Sequence, residues 1–355
     1  MAFADTLIGW YEEHQRELPW RGETDPYKIW VSEIILQQTR VQQGWDYYLR
    51  FIDNFPNVKA LAEAEEERVL RVWQGLGYYS RARNMHAAAQ EIMTKHGGKF
   101  PQDYHNILAL KGIGPYTAAA IASIAFHQPY PAVDGNVIRI ISRIFGVCDD
   151  VSQPAVVKRI TEICETQIDH KQPGIFNQAA MDFGAMHCTP KSPKCDECPF
   201  ATTCYALKNQ LTEVLPVKKK KVEQRHRYFH YSVYIADNQT IIEQRTGSDI
   251  WKNMYQFPLV ETDEENNSFG EPTVRLREVL THQIIHADFY VKTVVKLPKT
   301  SENQMVVNYS DIAKYPMPKI MTEFLKVLEL QYRYFIPIVE TRLIASLQEN
   351  ILLLV

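Results

Sequence analysis

The chain is poor in cysteine and glycine, with 6 and 15 among its 355 residues, and it has little net charge, −3 in all. No run approaches the roughly eighteen consecutive apolar residues that a membrane-spanning helix needs, so no membrane association is expected. The first fourteen residues, MAFADTLIGWYEEH, carry neither a basic start nor a long apolar stretch. That speaks against a secretory leader and for a cytoplasmic protein with reduced thiols. Near-neutral charge excludes a protein that is basic all over, but a phosphate footprint can be local. Hydrophobic residues make up 45% and charged residues 23%. This is the balance of a globular chain long enough for two or three domains.

The few cysteines are concentrated. Cys188, Cys195, Cys198 and Cys204 form a C-x6-C-x2-C-x5-C run within one short segment. Four thiolates that close can wrap one metal centre, and both zinc and [4Fe–4S] clusters use four cysteines. Structural zinc sites usually pair two C-x2-C knuckles across a longer loop. Only one such knuckle is present here, which favours a compact cluster without settling the matter. Cys148 and Cys164 stand apart and read as small buried hydrophobes.

Up to about residue 210 the pattern is helical. Phe3, Leu7, Trp10, Tyr11 and His14 recur at helical spacing, and Asp25-Pro26 starts a second helix over Tyr27 to Arg40. Further helices are expected at 57–74, 80–95, 103–110, 115–127, 134–145, 152–168 and 173–186. After Pro216 the pattern changes. Tyr228 to Ala236 alternates and is rich in aromatic and β-branched residues, as a strand would be. Strands are also expected at 240–245 and 288–297, helices at 272–281 and 317–332, and a loop at 262–271. The fold class is therefore multidomain: an all-α domain over 1–215, a basic linker over 216–227 and an α+β domain over 228–330. A tail over 331–355 has no assigned role. The linker holds Lys218 to Lys221, followed by Arg225, His226 and Arg227. It is either a solvated connector or a phosphate contact.

Two features of the helical half carry chemistry. Leu110-Lys111-Gly112-Ile113-Gly114-Pro115-Tyr116-Thr117-Ala118-Ala119, within a hairpin over 108–119, places two glycines between helices. Such a turn aims backbone N–H groups and a helix N-terminus at one point, which suits a DNA phosphate. It grips backbone and reads no sequence. The second feature is a pair of carboxylates. Glu33 has Ile29, Trp30 and Leu36 as helical neighbours, so burial should raise its pKa. Asp134, in Val133-Asp134-Gly135-Asn136-Val137, can cap the next helix and still serve as an anion. A neutral acid beside an ionised carboxylate is the pairing that breaks glycosidic bonds. On nucleic acid the leaving group is a base, which must first be turned out of the duplex.

Taken in order, Leu18-Pro19-Trp20-Arg21, Pro26 to Thr39, Gly75 to Asn84, the hairpin, Val133 to Asn136, Phe176 to Ala179, Asp182 to Met186 and the four cysteines resemble the endonuclease III superfamily of helix-hairpin-helix glycosylases. Within it they resemble the MutY adenine DNA glycosylases. The resemblance covers about residues 1–215. It implies a base-excision enzyme, a monomer, that removes adenine paired with 8-oxoguanine or guanine in double-stranded DNA. It also implies a [4Fe–4S] cluster on Cys188, Cys195, Cys198 and Cys204, in an iron–sulfur loop over 188–204. By motif position Glu33 is similar to the general acid acting at adenine N7, and Asp134 to the carboxylate that stabilises or captures the oxocarbenium ion. Tyr116 and Asn136 are similar to supporting groups, Trp20 and Arg21 to adenine-pocket residues, and Gln38 and Tyr78, with Leu36 beside them, to a wedge in the base stack. Gly112 and Gly114 would hold phosphate at the hairpin, and Lys191 and Lys194 at the cluster loop. Bifunctional lyases of the superfamily carry a lysine where this chain has Tyr116. A phenol cannot form a Schiff base, so a monofunctional hydrolase is expected, and Lys111 lies on the wrong side of the turn to substitute.

The second half more weakly resembles the MutT-like (Nudix-type) domain with which this family reads 8-oxoguanine. It lacks the G-x5-E-x7-R-E-x2-E-E box, so nucleotide hydrolysis is not expected. The family's Phe-Ser-His aligns here with Ile284-Ile285-His286, which leaves Ile284 as a wedge and His286 as the surviving polar reader. The rival expectations are a pyrimidine-lesion glycosylase/lyase of the same superfamily and a non-catalytic iron–sulfur mismatch binder.

Overall fold

The computed structural model describes residues 2–219, 223–265 and 267–332. They divide into two compact units. The first takes residues up to Ala64 and from Asn84 to the lysine run; the second takes Glu65–Arg83 and the C-terminal half. The segment Glu65–Arg83 thus packs with the second unit although it lies inside the span expected to be one domain. Lys220, Lys221 and the tail from 333 onward lie outside the described residues.

The first unit is helical. Its elements are α1 (Phe3–His14), α2 (Pro26–Leu36), α3 (Val41–Asn54) and α4 (Val58–Ala62). After the excursion of α5 (Glu66–Trp73) into the second unit come α6 (Ser80–Lys95), α7 (Tyr104–Ala109), α8 (Pro115–Phe126), α9 (Gly135–Phe145), α10 (Pro154–Gln167), α11 (Pro173–Met186) and the single turn α12 (Tyr205–Lys208). The starts follow local chemistry. Asp25 accepts from the Tyr27 N–H with Pro26 in the first turn, Asp103 accepts from His105 and Asn106, and Asp134 accepts from Val137. Two expectations change here. The helix anticipated over 57–74 breaks into α4 and α5, and α2 ends at Leu36, with α3 following it unanticipated. The core joins α1, α9, α10 and α11 through Leu7, Tyr11, Ile140, Ile160, Phe176 and Phe183. Cys164 is buried there as expected, whereas Cys148 is exposed.

The second unit is built on two sheets. In chain order it has β1 (Arg225–Ile235), β2 (Gln239–Gln244), β3 (Tyr255–Gln256), β4 (Leu259–Thr262), β5 (Val274–Val279), β6 (Gln283–Thr293) and β7 (Gln304–Asn308), then α13 (Lys319–Tyr332). One sheet has the order β4-β1-β6-β5 and the other β3-β2-β7. β1 and β6 pair in parallel from Arg225↔Gln283 to Ile235↔Thr293, while β5 and β6 are antiparallel. Phe324 of α13 stacks on Phe289 of β6 at 4.0 Å and meets Phe257 edge-on at 5.6 Å. Burying each such ring stabilises the sheet by about 1.5–3 kcal/mol.

Several expectations for this half are corrected. Residues 272–281 form β5, not a helix, because Val274 and Leu276 turn inward while Arg275 and Arg277 face out. β6 begins five residues before the expected strand. Arg227 is no free phosphate contact: it is buried in β1, where its guanidinium pairs with Asp249 at 2.6 Å and Glu261 at 2.7 Å. The segment carrying α5 is held through Asn253 donating to Glu66 at 2.6 Å, Arg71 to the Lys314 carbonyl at 2.9 Å and Arg83 to the Lys252 carbonyl at 3.0 Å.

Candidate active site and cluster loop

Three elements of the first unit bring the expected acid, phenol and carboxylate together. Glu33 lies on α2 with only 8% of its surface exposed. Tyr116, in the first turn of α8, donates its hydroxyl to Glu33 Oε2 at 2.6 Å. Burial raises the Glu33 pKa, and the nearby Asp134 charge raises it further, against the opposing effects of the Tyr116 hydrogen bond and Arg21. Burial and the Glu33 carboxyl hold the Tyr116 phenol well above its ordinary range, so it stays a neutral donor.

Asp134 is treated differently. As the cap of α9 its Oδ1 accepts from the Val137 amide and its Oδ2 from Asn136 Nδ2, both at 2.8 Å. Burial raises the pKa of this carboxyl, and the Val137 and Asn136 donors and the Arg139 guanidinium offset only part of that rise. The N-terminus of α9 favours a negative charge at the same place. Asn136 is held in turn by Arg139 Nη2, 2.9 Å from its Oδ1, and Arg139 Nε donates to the Cys188 carbonyl at 2.8 Å. Arg139 therefore ties Asn136 to the first cysteine of the loop. The spacing Asn136 to Arg139 on one helix was the available signal for this link. Gly184 of α11 lets α9 approach, since a Cβ there would lie 2.6 Å from the Asn136 Cβ.

Trp20 is buried edge-on against Tyr48 at 5.4 Å. Arg21 pairs with Asp182 Oδ1 at 2.5 Å, and Arg16 reaches the same oxygen at the same distance. Asp182 is fully buried and so fixes Arg21, whose charge acts on Glu33 and Tyr116. Gln38, just past Leu36, is exposed with φ +59°, and Tyr78 of the second unit is 45% exposed with φ +48°. Such conformations are uncommon outside glycine and cost energy to hold. At the hairpin Gly112 has φ +79°, and a Cβ on it would meet the Asn84 Cβ at 2.5 Å, whereas Gly114 faces open space. Glycine is therefore required at 112 on two counts.

The expected recognition loop is corrected. Ile284 and Ile285 belong to β6 and are 6% and 0% exposed, so neither can enter a base stack. His286 lies on the strand, stacked between His226 at 5.1 Å and Tyr228 at 4.7 Å. The turn itself is formed by Thr281 and His282, closed by the Leu280 N–H on the Gln283 carbonyl at 2.8 Å. Thr281 Oγ1 hydrogen-bonds the Tyr78 hydroxyl. The two-residue period of 274–279 was the signal that would have placed this turn.

Cys188, Cys195, Cys198 and Cys204 line one cavity with Arg143 and Phe183. No group of three or more His, Cys, Asp or Glu among the described residues is arranged around a single ion. Four cysteines around one cavity can supply the thiolates of a single [4Fe–4S] cluster. Arg143, 2% exposed, places Nη1 3.4 Å from Cys188 Sγ and holds the loop through the Thr189 and Pro190 carbonyls at 2.7 and 3.2 Å. A buried cation against the thiols fits an anionic cluster. Lys191 and Lys194 of this loop are exposed.

A helical unit with a glycine-turn hairpin, a buried acid and a four-cysteine loop defines a helix-hairpin-helix DNA-repair glycosylase. Residues 31–166 match the HhH-GPD superfamily of base excision DNA repair proteins, 188–204 the iron–sulfur binding domain of endonuclease III and 230–327 the NUDIX domain. The chain is 34% identical over 311 residues to the adenine DNA glycosylase of Buchnera aphidicola subsp. Acyrthosiphon pisum, covering 84% of this chain and 88% of the relative. It is 37% identical to that of the Schizaphis graminum subspecies over 261 residues, 73% and 75% of the two chains. The human adenine DNA glycosylase is 40% identical over 214 residues, 58% of this chain and 39% of that one. Among solved structures, a thermostable thymine-DNA glycosylase superposes with TM-score 0.54 at 28% identity, over 58% of this chain and 95% of that one. An endonuclease III–DNA covalent complex shares the fold, with TM-score 0.51 at 22% identity, over 59% and 95%. The chain belongs to the adenine DNA glycosylase family. It is a base-excision DNA N-glycosylase with a [4Fe–4S] cluster, and DNA is its substrate.

Proposed function

We propose that this glycosylase removes adenine paired with 8-oxoguanine, or with guanine, by acid-assisted cleavage, and acts as a monomer. The observation that carries the mechanism is the buried Glu33–Tyr116 hydrogen bond beside the capped Asp134. Glu33 accepts from the Tyr116 phenol and is largely buried, which raises its pKa, so it is the protonated member. It gives its proton to adenine N7 as the glycosidic electron pair leaves with the base. Asp134, with two amide donors and a helix start, keeps its charge and offsets the oxocarbenium ion until water adds to the sugar. Asn136 and Arg139 fix its orientation. Trp20 and Arg21 wall the adenine pocket, Gln38 and Leu36 support the opened stack, and Gly112, Gly114, Lys191 and Lys194 hold phosphates. The cluster, when bound, supplies no step of the cleavage: its part is to shape the loop that carries the two lysines.

Opposite-base recognition is assigned to the turn of Thr281 and His282, with Tyr78 as its hydrogen-bonded neighbour, in place of Ile284 and His286. A threonine hydroxyl and an imidazole restore the polar groups that Ile284 and Ile285 lack. Tyr116 occupies the place where a lyase would need an amine, which favours a hydrolase that leaves an abasic site.

Incubation with an adenine:8-oxoguanine duplex tests this reading. Strand cleavage is expected only after alkali, with no borohydride-trapped adduct. Cleavage without alkali, or a trapped complex, contradicts it. Thr281→Ala should reduce the preference for 8-oxoguanine over guanine, and an unchanged preference removes the turn from the account.

A further inference from the structure

His187 is a polar residue that the glycosylase chemistry leaves without a task. It follows the last turn of α11 and precedes Cys188, the first of the four cluster cysteines. Its ring stacks on Phe183 at 4.8 Å with a 20° tilt and meets Trp10 edge-on at 5.8 Å. A phenylalanine would fill that aromatic slot equally well, so packing does not explain the imidazole. The residue is only 6% exposed, and its buried Nε2 has no hydrogen-bond partner. Buried polar atoms are seldom left in that state, and an unexplained one points to a group still to be supplied.

The same side chain lines the cavity shared by the four thiols. The two cationic side chains there have other places. Arg143 directs Nε to the Leu215 carbonyl at 3.0 Å and its two terminal nitrogens to the Thr189 and Pro190 carbonyls. Lys194 is exposed, and its backbone N–H donates to the His187 carbonyl at 3.1 Å, which ties the loop to the end of α11. His187 thus brings a buried, unpartnered ring nitrogen to the wall of the cavity that the four cysteines line.

We propose that His187 donates a hydrogen bond from Nε2 to a sulfur of the iron–sulfur cluster and thereby raises its reduction potential. Hydrogen bonds to cluster or thiolate sulfur stabilise the more negatively charged, reduced state, and are among the protein's main means of tuning these centres. His187 is a positioning and tuning residue, and the adenine-releasing groups do not depend on it.

The test uses the full, cluster-loaded chain labelled with ¹⁵N-histidine, bound to duplex DNA and oxidised by ferricyanide to a paramagnetic cluster state. Electron spin-echo modulation should show a weak ¹⁵N coupling of hydrogen-bonded, non-ligating strength, which disappears in His187→Phe. The potential, measured by voltammetry on DNA-modified electrodes, should fall in His187→Phe and recover in part in His187→Gln, which keeps a donor. No ¹⁵N coupling in the unaltered chain, or equal potentials in all three proteins, would overturn the proposal. If His187→Phe loads no iron, the labelled unaltered protein alone decides by the presence or absence of the coupling.

Discussion

The helical unit and the sheet unit each hold a glutamate whose pKa is raised by burial. Glu33, on α2, faces a phenol donor, with Asp134 and Arg21 close enough to act on it through their charges. Glu278, on β5, lies under the start of α13, where burial and then the Glu323 charge push its pKa to about 7 against Lys319 and the Ile320 amide. Both carboxyls are displaced in the same direction by the same first cause. Their surroundings differ: Glu33 shares its space with a second carboxylate held by amides, whereas Glu278 has a helix N-terminus and surface charges. On the proposed mechanism, a raised carboxyl serves as an acid where a partner for the departing proton's charge is built beside it. Elsewhere it is a pH-dependent fold contact.

Breaking the comparison at Glu33 should have the largest effect. Glu33→Gln keeps shape and burial but has no proton to give, so single-turnover adenine release should fall by about 10²–10⁴-fold, with thermal stability maintained. Asp134→Asn should cost about 10²–10³-fold in the same assay, the order seen for removal of one electrostatic stabiliser. Because asparagine caps helices as well as aspartate does, α9 should persist by circular dichroism. Tyr116→Phe removes the donor that favours ionised Glu33. The acid form should then last to higher pH, and the alkaline limb of the pH–rate profile should move upward.

Gly112→Ala should lower stability by about 1 kcal/mol or more, because alanine resists the left-handed backbone, and the Asn84 contact adds to that. Duplex affinity should weaken with it. The smallest change belongs to Glu278. Its folded pKa lies above the ordinary carboxylate value, so its contribution is fully present at acid pH and is lost as pH rises through about 7. Glu278→Gln should therefore raise the melting temperature at pH 8, leave it unchanged near pH 4, and leave adenine release unaffected throughout.

Much of the helical unit was legible because its signals are local. Asp25-Pro26 announces α2, Gly112 and Gly114 announce the hairpin, and four cysteines within one short segment announce the cluster. The sheet unit was less legible because strand pairing is non-local. Arg275, Leu276, Arg277 and Glu278 are good helix formers, yet pairing with β6 makes them a strand. With β5 missed, the turn moved down the chain and Ile284 was placed on a loop, where burial in β6 now excludes it. The division of labour around Asp182 and Arg139 was also hidden, since Arg16, Arg21 and Cys188 meet them only after folding. Glu33 and Asp134 stand out in the sequence because each sits in its own short motif, but the donors that surround each are visible only in the fold.

The central claim is that Glu33 is the proton donor to the leaving adenine. Single-turnover release from an adenine:8-oxoguanine duplex, followed across pH for the unaltered chain and for Glu33→Gln, tests it most directly. The unaltered chain should lose activity on an alkaline limb lying above the ordinary glutamate range, and the variant should be slower by at least about a hundredfold with that limb gone. Release at the unaltered rate by Glu33→Gln, with the same pH limb, would contradict it.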